Sequence, residues 1–177
     1  MMIQRWLHRY GFGIQSPWAY ELVRNVLYEP LRYYAFDELK AKYPQRSKKQ
    51  RKLDEQLFRI VNHFKPETIE IVGNADAATM DYIEERQKGS KLSTFNFTPP
   101  KGGWGVLIYY LAPSAPLPSV PATLSDGMVL VVDDIQATNK AAWEQLLNHS
   151  QVTAIFDMGY RGLLCCDAKR VRQTYLL

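Results

Sequence analysis

Glu67-Thr-Ile-Glu-Ile-Val-Gly-Asn-Ala-Asp-Ala-Ala-Thr-Met80 is the stretch that decides the fold of this 177-residue chain. Its first part, 68–72, is typical of a buried strand, Gly73 predicts a turn, and a helix is predicted from Ala75 onward. Doubly wound α/β domains hold nucleotide-like ligands with such a strand, turn and helix start, because helix-start N–H groups point at the ligand. The stretch therefore predicts an α/β fold with a ligand site at the turn.

Strand-like and helix-like segments alternate after this stretch. Strands are predicted at 68–72, 92–97, 105–111, 128–132, 151–156, 162–166 and 172–176, and helices at 75–87 and 139–148. This alternation predicts a Rossmann-like, mostly parallel sheet with helices. A tight turn at 158–161 joins two of the strands, and it predicts an antiparallel C-terminal hairpin at one edge of the sheet.

The connection between the second and third predicted strands is short. Seven residues, 98–104, separate them, whereas a parallel crossover takes about a dozen or more. We therefore expect either that the two strands form an antiparallel pair or that the first does not join the sheet. In both cases the fold has lost a crossover.

The N-terminal part of the chain is helical and aromatic. Ser16 and Pro17 are favoured at an N-cap and at the first helical position, and Pro30 ends the helix that they begin. Further helices are predicted at 33–42 and 53–64. The length suits one domain, so we expect a single domain, 1–177, with a helical part at 1–65 and an α/β core at 66–177.

Positive charge is concentrated in one segment. The formal net charge is +4, and seven basic residues without any acid lie between Lys40 and Lys52. The segment is either a solvated linker between two helices or a surface for phosphate or nucleic acid. The linker is favoured because no aromatic residue is interleaved from Pro44 to Lys52. A nucleic-acid partner is therefore not expected.

The composition also indicates a cellular compartment. The chain has no run of 18 apolar residues, and its first residues lack the apolar stretch of a signal peptide, so no membrane association is expected. Cys165 and Cys166 are adjacent in an apolar segment, which is typical of buried thiols in a reducing compartment. These features predict a cytoplasmic protein.

Several segments along the whole chain resemble one protein family. They are the opening His8-Arg-Tyr-Gly-Phe-Gly-Ile-Gln-Ser-Pro17, the segment Phe64-Lys-Pro-Glu-Thr-Ile-Glu-Ile-Val-Gly73, the segment Asp126-Gly-Met-Val-Leu-Val-Val-Asp-Asp-Ile135, and the last helix and hairpin. They resemble the class I S-adenosylmethionine-dependent methyltransferases, and within them a bacterial O-methyltransferase-like subgroup. The resemblance implies a seven-stranded sheet with helices on both faces, here shortened, and S-adenosylmethionine as the cofactor.

The resemblance also implies where the cofactor would bind. S-adenosylmethionine would lie against Gly73, Asn74, Asp76, Ala77 and Asn96. The chain departs from the family there. Ile71 and Ala77 stand where the family has an acidic residue and a second glycine. Where the family has an acid that binds the ribose, this chain has only Asn96 and Thr98 as polar residues. Asp76 is either a substitute cofactor contact or a helix cap.

Asp133 and Asp134 are the candidate catalytic residues. They follow a predicted parallel strand, at the edge where α/β domains bind ligands, and they would deprotonate a substrate oxygen for methyl transfer. The preceding strand ends without a carboxylate, so no metal site is predicted. The alternative role of the two carboxylates is to cap and stabilise the helix that follows.

Two functions remain open, together with a third that is weaker. In the first, the chain is a methyltransferase that acts on a small-molecule acceptor, with weak or no activity. In the second, it is a non-catalytic module of the same fold. That module would bind a protein partner or a second copy of itself through its aromatic N-terminal helices. The third is nucleic-acid association through Lys40 to Lys52.

Overall fold

The computed structural model describes residues 2–85, 91–94, 107–113, 120, 121 and 123–177. These residues belong to two compact units. The sheet unit takes the described residues of Met1–Arg5, Pro66–Ala75 and Ser90–Leu177, and the helical unit takes those of Trp6–Lys65 and Asp76–Gly89. The helix that follows Gly73 therefore groups with the N-terminal helices.

Seven strands form one mixed sheet within the described part of the sheet unit. They are β1 (Thr68–Val72), β2 (Lys91–Thr94), β3 (Leu107–Leu111), β4 (Met128–Asp133), β5 (Ala154–Asp157), β6 (Arg161–Cys165) and β7 (Gln173–Leu176). Their order is β2-β1-β3-β4-β6-β5-β7, and all neighbours are parallel except the two pairs that contain β6. The α/β class, the mostly parallel sheet and the antiparallel hairpin are confirmed. β7 lies outside that hairpin and is parallel to β5.

The expected pairing of the second and third strands is wrong. β2 and β3 are not neighbours, because each pairs in parallel with β1 from its own side. The first of them is therefore a strand of the sheet, and the two are not an antiparallel pair. Residues 95–106, which connect the two strands, lie outside the described residues. Because both strands are parallel to β1 and lie on opposite sides of it, the expected loss of a crossover is wrong as well. The sequence pattern did not reveal that β1 lies between them.

Helix α6 (Lys140–Leu147) packs on the sheet of its own unit. Its residues Trp143 and Leu146 share a buried core with Leu130 and Val132 of β4. Gly162 of β6 leaves the space that the Trp143 ring fills, since a Cβ on Gly162 would lie 2.2 Å from Cζ3 of that ring. This glycine is therefore required by close packing.

The helical unit contains five α-helices among its described residues, one of which it shares with the sheet unit. They are α1 (Met2–Arg9), α2 (Pro17–Leu22), α3 (Tyr34–Lys42), α4 (Lys48–Phe64) and α5 (Ala77–Glu84). The Ser16 side chain accepts a hydrogen bond from Ala19 N, as an N-cap does, so the predicted start of α2 is confirmed. α2 continues into a π-helical turn, Val23–Leu27. Phe36, Phe58 and Tyr82 pack together in a buried aromatic cluster.

The predicted linker from Lys40 to Lys52 is wrong over most of its length. α3 reaches Lys42 and α4 begins at Lys48, so only 43–47 connect the two helices. Ser47 and Gln50 form a capping box, in which each side chain accepts a hydrogen bond from the backbone N–H of the other residue. This local signal starts α4 five residues earlier than the apolar pattern indicated.

The two cysteines are buried, as the sequence predicted. Cys165 and Cys166 are buried, free thiols, and burial raises the pKa of Cys166 to about 12. Among the helices that the structure describes, none is long and apolar enough to cross a membrane.

Candidate functional site

Asp133 lies at the carboxyl end of β4, directly opposite Arg161 of β6. Arg161 Nε donates to Oδ1 of Asp133 at 2.5 Å, and Nη2 donates to Oδ2 at 2.8 Å. Tyr110 Oη also donates to Oδ2, at 2.9 Å. Asp133 is 4% exposed and Arg161 is 1% exposed. Both carboxylate oxygens of Asp133 therefore accept hydrogen bonds from the chain itself, and a buried guanidinium balances the charge.

Asp134 follows Asp133 in a left-handed conformation, with φ of 55°. Its Oδ2 accepts hydrogen bonds from Thr138 N at 3.0 Å and from Thr138 Oγ1 at 2.6 Å. The carboxylate therefore stabilises the turn that leads into α6. The N-cap of α6 is Asn139, so this contact stabilises the turn before the helix and is not the cap that the sequence left open for the acidic pair.

Asn139 joins the ends of two strands at the same edge of the sheet. Its buried side-chain amide donates to Ala112 O at 2.9 Å and to Asp133 O at 2.8 Å. Ala112, just beyond β3, donates through its N–H to the carbonyl of Val72, the last residue of β1, at 2.9 Å. Hydrogen bonds within the chain thus connect the carboxyl ends of β1, β3 and β4.

The loop after β1 begins with Gly73, whose φ of 93° lies in the region that favours glycine. Asn74 follows it and is exposed. Gly73 and Asn74 belong to the sheet unit, whereas Asp76 and Ala77 belong to the helical unit. Asn96, the fifth predicted cofactor contact, lies outside the described residues.

Asp76 is the N-cap of α5. Its Oδ1 accepts a hydrogen bond from Thr79 N at 2.9 Å, and its Oδ2 forms an ion pair with Arg46. Burial alone would raise the pKa of Asp76, but the hydrogen bonds from Thr79 N and Arg46 outweigh it, and the pKa is lowered. The capping interpretation of Asp76 is therefore confirmed. Ala77 begins α5, and its carbonyl accepts a hydrogen bond from Tyr43 Oη at 3.3 Å.

Arg46 links Asp76 to a buried carboxylate of α4. Arg46 Nε and Nη2 donate to the two oxygens of Asp54 at 2.6 and 2.8 Å, and Nη2 also donates to Thr79 Oγ1 at 2.8 Å. The hydrogen bond to Asp54 is the main cause of the raised pKa of Arg46. This guanidinium, from the segment interpreted as a linker, thus holds the start of α5 to α4.

Sequence reasoning missed three residues that define the edge of the sheet: Arg161, Tyr110 and Asn139. An arginine directly before an apolar strand was an available signal, since an arginine that becomes buried there needs an acidic partner. Which acid it pairs with follows from the β4–β6 register, which the sequence does not contain.

Within the ranges that the structure describes, no group of three or more His, Cys, Asp or Glu side chains is arranged to hold a metal ion. The carboxylates singled out in the sequence have structural roles: Asp133 is in an ion pair, Asp76 caps α5, and Asp134 stabilises a turn. Comparison of the chain with protein-family models, with curated proteins and with solved structures found no match.

Proposed function

We propose that the chain is a non-catalytic relative of the class I S-adenosylmethionine-dependent methyltransferases, a Rossmann-like scaffold that acts by binding. One observation carries the proposal: Asp133, the first candidate base, is in a buried bidentate ion pair with Arg161. A general base must reach the substrate proton with a free lone pair. Taking Asp133 out of this pair would leave the buried charge of Arg161 uncompensated.

The fit of S-adenosylmethionine to the described residues supports the same proposal. The ribose and amino-acid parts of such a cofactor need charged or hydrogen-bonding partners. The carboxylates of Asp76 and Asp133 are both held by arginines, and Asp134 accepts from Thr138. These acids do not fit the role of cofactor acceptors.

A working methyltransferase is the second candidate, and the strand order favours it. The chain passes from β1 to β2 on one side and then to β3 on the other side, which makes a topological switch point at β1. Open α/β sheets bind ligands at the carboxyl ends of such strands, and Gly73 forms its turn there. Methyl transfer depends mainly on positioning, so few fixed groups are needed.

Calorimetric titration of the full chain with S-adenosylmethionine and with S-adenosylhomocysteine distinguishes the two candidates. We expect no binding heat and no thermal shift at millimolar ligand, while circular dichroism shows a folded, cooperatively melting protein. A methyltransferase of known affinity in the same buffer is the positive control. Binding at micromolar concentration would contradict the non-catalytic proposal and support the enzyme.

The partner of the proposed scaffold is a protein or a second copy of the chain. Phe12, Tyr20 and Tyr34 of the helical unit are 64%, 44% and 96% exposed, which is unusual for large apolar side chains. Light scattering after size-exclusion chromatography measures whether the chain forms a homo-oligomer. If the chain is monomeric at all concentrations, a second copy of the chain is excluded and the partner is a different protein.

A further inference from the structure

A cavity of about 820 Å³ lies within the helical unit. α1, the π-helical turn after α2, α3 and the start of α4 contribute to its wall. Eight cationic and three acidic side chains line it, an excess of five positive charges. The volume is that of a site for one small molecule, and the charge predicts that this molecule is a polyanion.

Aromatic rings hold two arginines of the wall. The guanidinium of Arg9 lies 5.4 Å from the centre of the Tyr28 ring, and that of Arg24 lies 5.7 Å from the centre of the Tyr10 ring. A ring face orients a guanidinium without accepting its N–H groups in conventional hydrogen bonds. Neither arginine is in an ion pair with a carboxylate of the described chain. Their in-plane donors are thus suited to oxyanions such as phosphate.

Two donors in the wall lack acceptors. The Nε atoms of Arg9 and Arg51 are buried, and no described group accepts a hydrogen bond from either. Unsatisfied buried donors are rare and costly, and a missing ion is one of their recognised causes. Because both side chains line the cavity, an anion bound there would supply the missing acceptors and the counter-charge.

The start of α4 adds an independent argument. Its first turn contains no acidic residue, and Lys48, Arg51 and Lys52 line the cavity. Positive charges at a helix start oppose the helix dipole, so helix stability does not account for them. An anion at this point is favoured both by the dipole and by the three side chains.

The π-helical turn that contributes Arg24 is held by side chains of α4. Val26 O accepts a hydrogen bond from Arg59 Nε at 3.0 Å, and Leu27 O accepts one from Gln56 Nε2 at 3.0 Å. π-helical turns interrupt α-helices at a cost and occur frequently at functional sites. Here the turn places a cation in the wall and fixes it to α4.

We propose that this cavity binds a nucleoside polyphosphate. The phosphates would lie against Arg9, Lys48 and Arg51, and the base against the edge-to-face pair of Trp6 and Tyr10, whose ring centres are 5.0 Å apart. Bases of single-stranded nucleic acids stack on aromatic side chains beside positively charged grooves, and a nucleotide base can use the same kind of surface. The site is contained in the helical unit, so it does not depend on whether the chain binds S-adenosylmethionine.

Calorimetry of the full chain with ATP, inorganic tripolyphosphate and adenosine tests each part of the proposal. We expect ATP to bind with one site and an affinity that falls as salt rises. Tripolyphosphate should bind about tenfold more weakly, because it lacks the stacking base. Adenosine should show no binding at millimolar concentration. S-adenosylmethionine has no phosphate and should not compete with ATP. The ATP titration therefore tests this cavity alone, and its failure would say nothing about the proposed function, which the titration with S-adenosylmethionine tests.

Neighbouring lysines provide a matched pair of variants. Lys48→Gln and Lys49→Gln remove the same charge from adjacent exposed positions, but only Lys48 lines the cavity. We expect Lys48→Gln to weaken ATP binding several-fold and Lys49→Gln to change it less than about twofold. Trp6→Ala should weaken ATP about tenfold and leave tripolyphosphate unchanged.

Three results would overturn the proposal. They are no ATP binding at millimolar concentration, equal losses in the two lysine variants, and tighter binding of a ten-nucleotide single-stranded DNA with hydroxyl ends than of ATP. The last result would assign the basic wall to nucleic acid instead.

Discussion

Arg161 of β6 binds the carboxylate of Asp133 of β4 through two hydrogen bonds, of 2.5 and 2.8 Å, directly across an antiparallel strand pair. The pair is buried, and it stands at the position that the sequence suggests for a catalytic base. A charge in this setting stabilises the fold only while its partner is present, because burial of either one alone is costly.

Removal of one partner should therefore cost more than removal of both. We expect Arg161→Met to lower the free energy of unfolding by about 3–5 kcal/mol, and Arg161→Met with Asp133→Leu to recover most of that loss. Urea unfolding measures both. Lys140→Met is the control, because it breaks an exposed pair with Glu144 at 3.9 Å that should contribute at most about 0.5 kcal/mol. A loss below about 1 kcal/mol for Arg161→Met would show that the pair is not structural.

Asp76 should behave as a helix cap. Asp76→Ala removes the acceptor for Thr79 N and the partner of Arg46, and we expect it to cost about 1–2 kcal/mol of stability. Asp76→Asn keeps an acceptor oxygen at the cap, so it should cost less. The midpoint of thermal unfolding compares the two variants. Equal losses in both would indicate that the Thr79 contact contributes little.

Gly162 should not tolerate a methyl group. A Cβ there would overlap the Trp143 ring, and we expect Gly162→Ala to cost about 1–3 kcal/mol through overpacking. Trp143→Phe removes part of the ring that the methyl group meets. The double variant should consequently lose less stability than the sum of the two single variants. Strict additivity in chemical denaturation would contradict the packing described for α6 and β6.

Glu70 should make stability depend on pH. It is buried in β1, and burial raises the pKa of its carboxyl above the ordinary value of 4.5. The folded state holds this proton more tightly than the unfolded state, so the stabilising contribution is complete below pH 4.5 and is lost as pH rises through the raised pKa.

The matching experiment measures urea midpoints from about pH 4 to about pH 8. Glu70→Gln should be more stable than the wild type at neutral pH, and the difference should vanish near the acid end. Glu67→Gln is the control, because Glu67 is exposed in the same segment, and its curve should follow the wild type. A Glu70→Gln curve that also follows the wild type would show that Glu70 finds a partner on ionisation.

Local patterns predicted most elements and the hairpin of β5 and β6, but not the order of the parallel strands. Strands such as β4 and β6 were placed within one residue, because runs of apolar residues and flanking turns are short-range features. The pairing of β2 and β3 was predicted from the length of their connection. That length does not show that β1 lies between them. The start of α4 was missed although Ser47 and Gln50 carry the capping signal, because the basic residues beside it suggested a solvated segment.

The sequence by itself determined the α/β class, the hairpin of β5 and β6, and the caps at Ser16 and Asp76. These depend on interactions between residues a few positions apart, so their signals lie within short windows. Only the tertiary structure decided the strand order, the partner of Asp133 and the aromatic contacts of the arginines in the basic cavity. Those features join residues far apart in the chain, and it is packing and burial that select each partner for a charge.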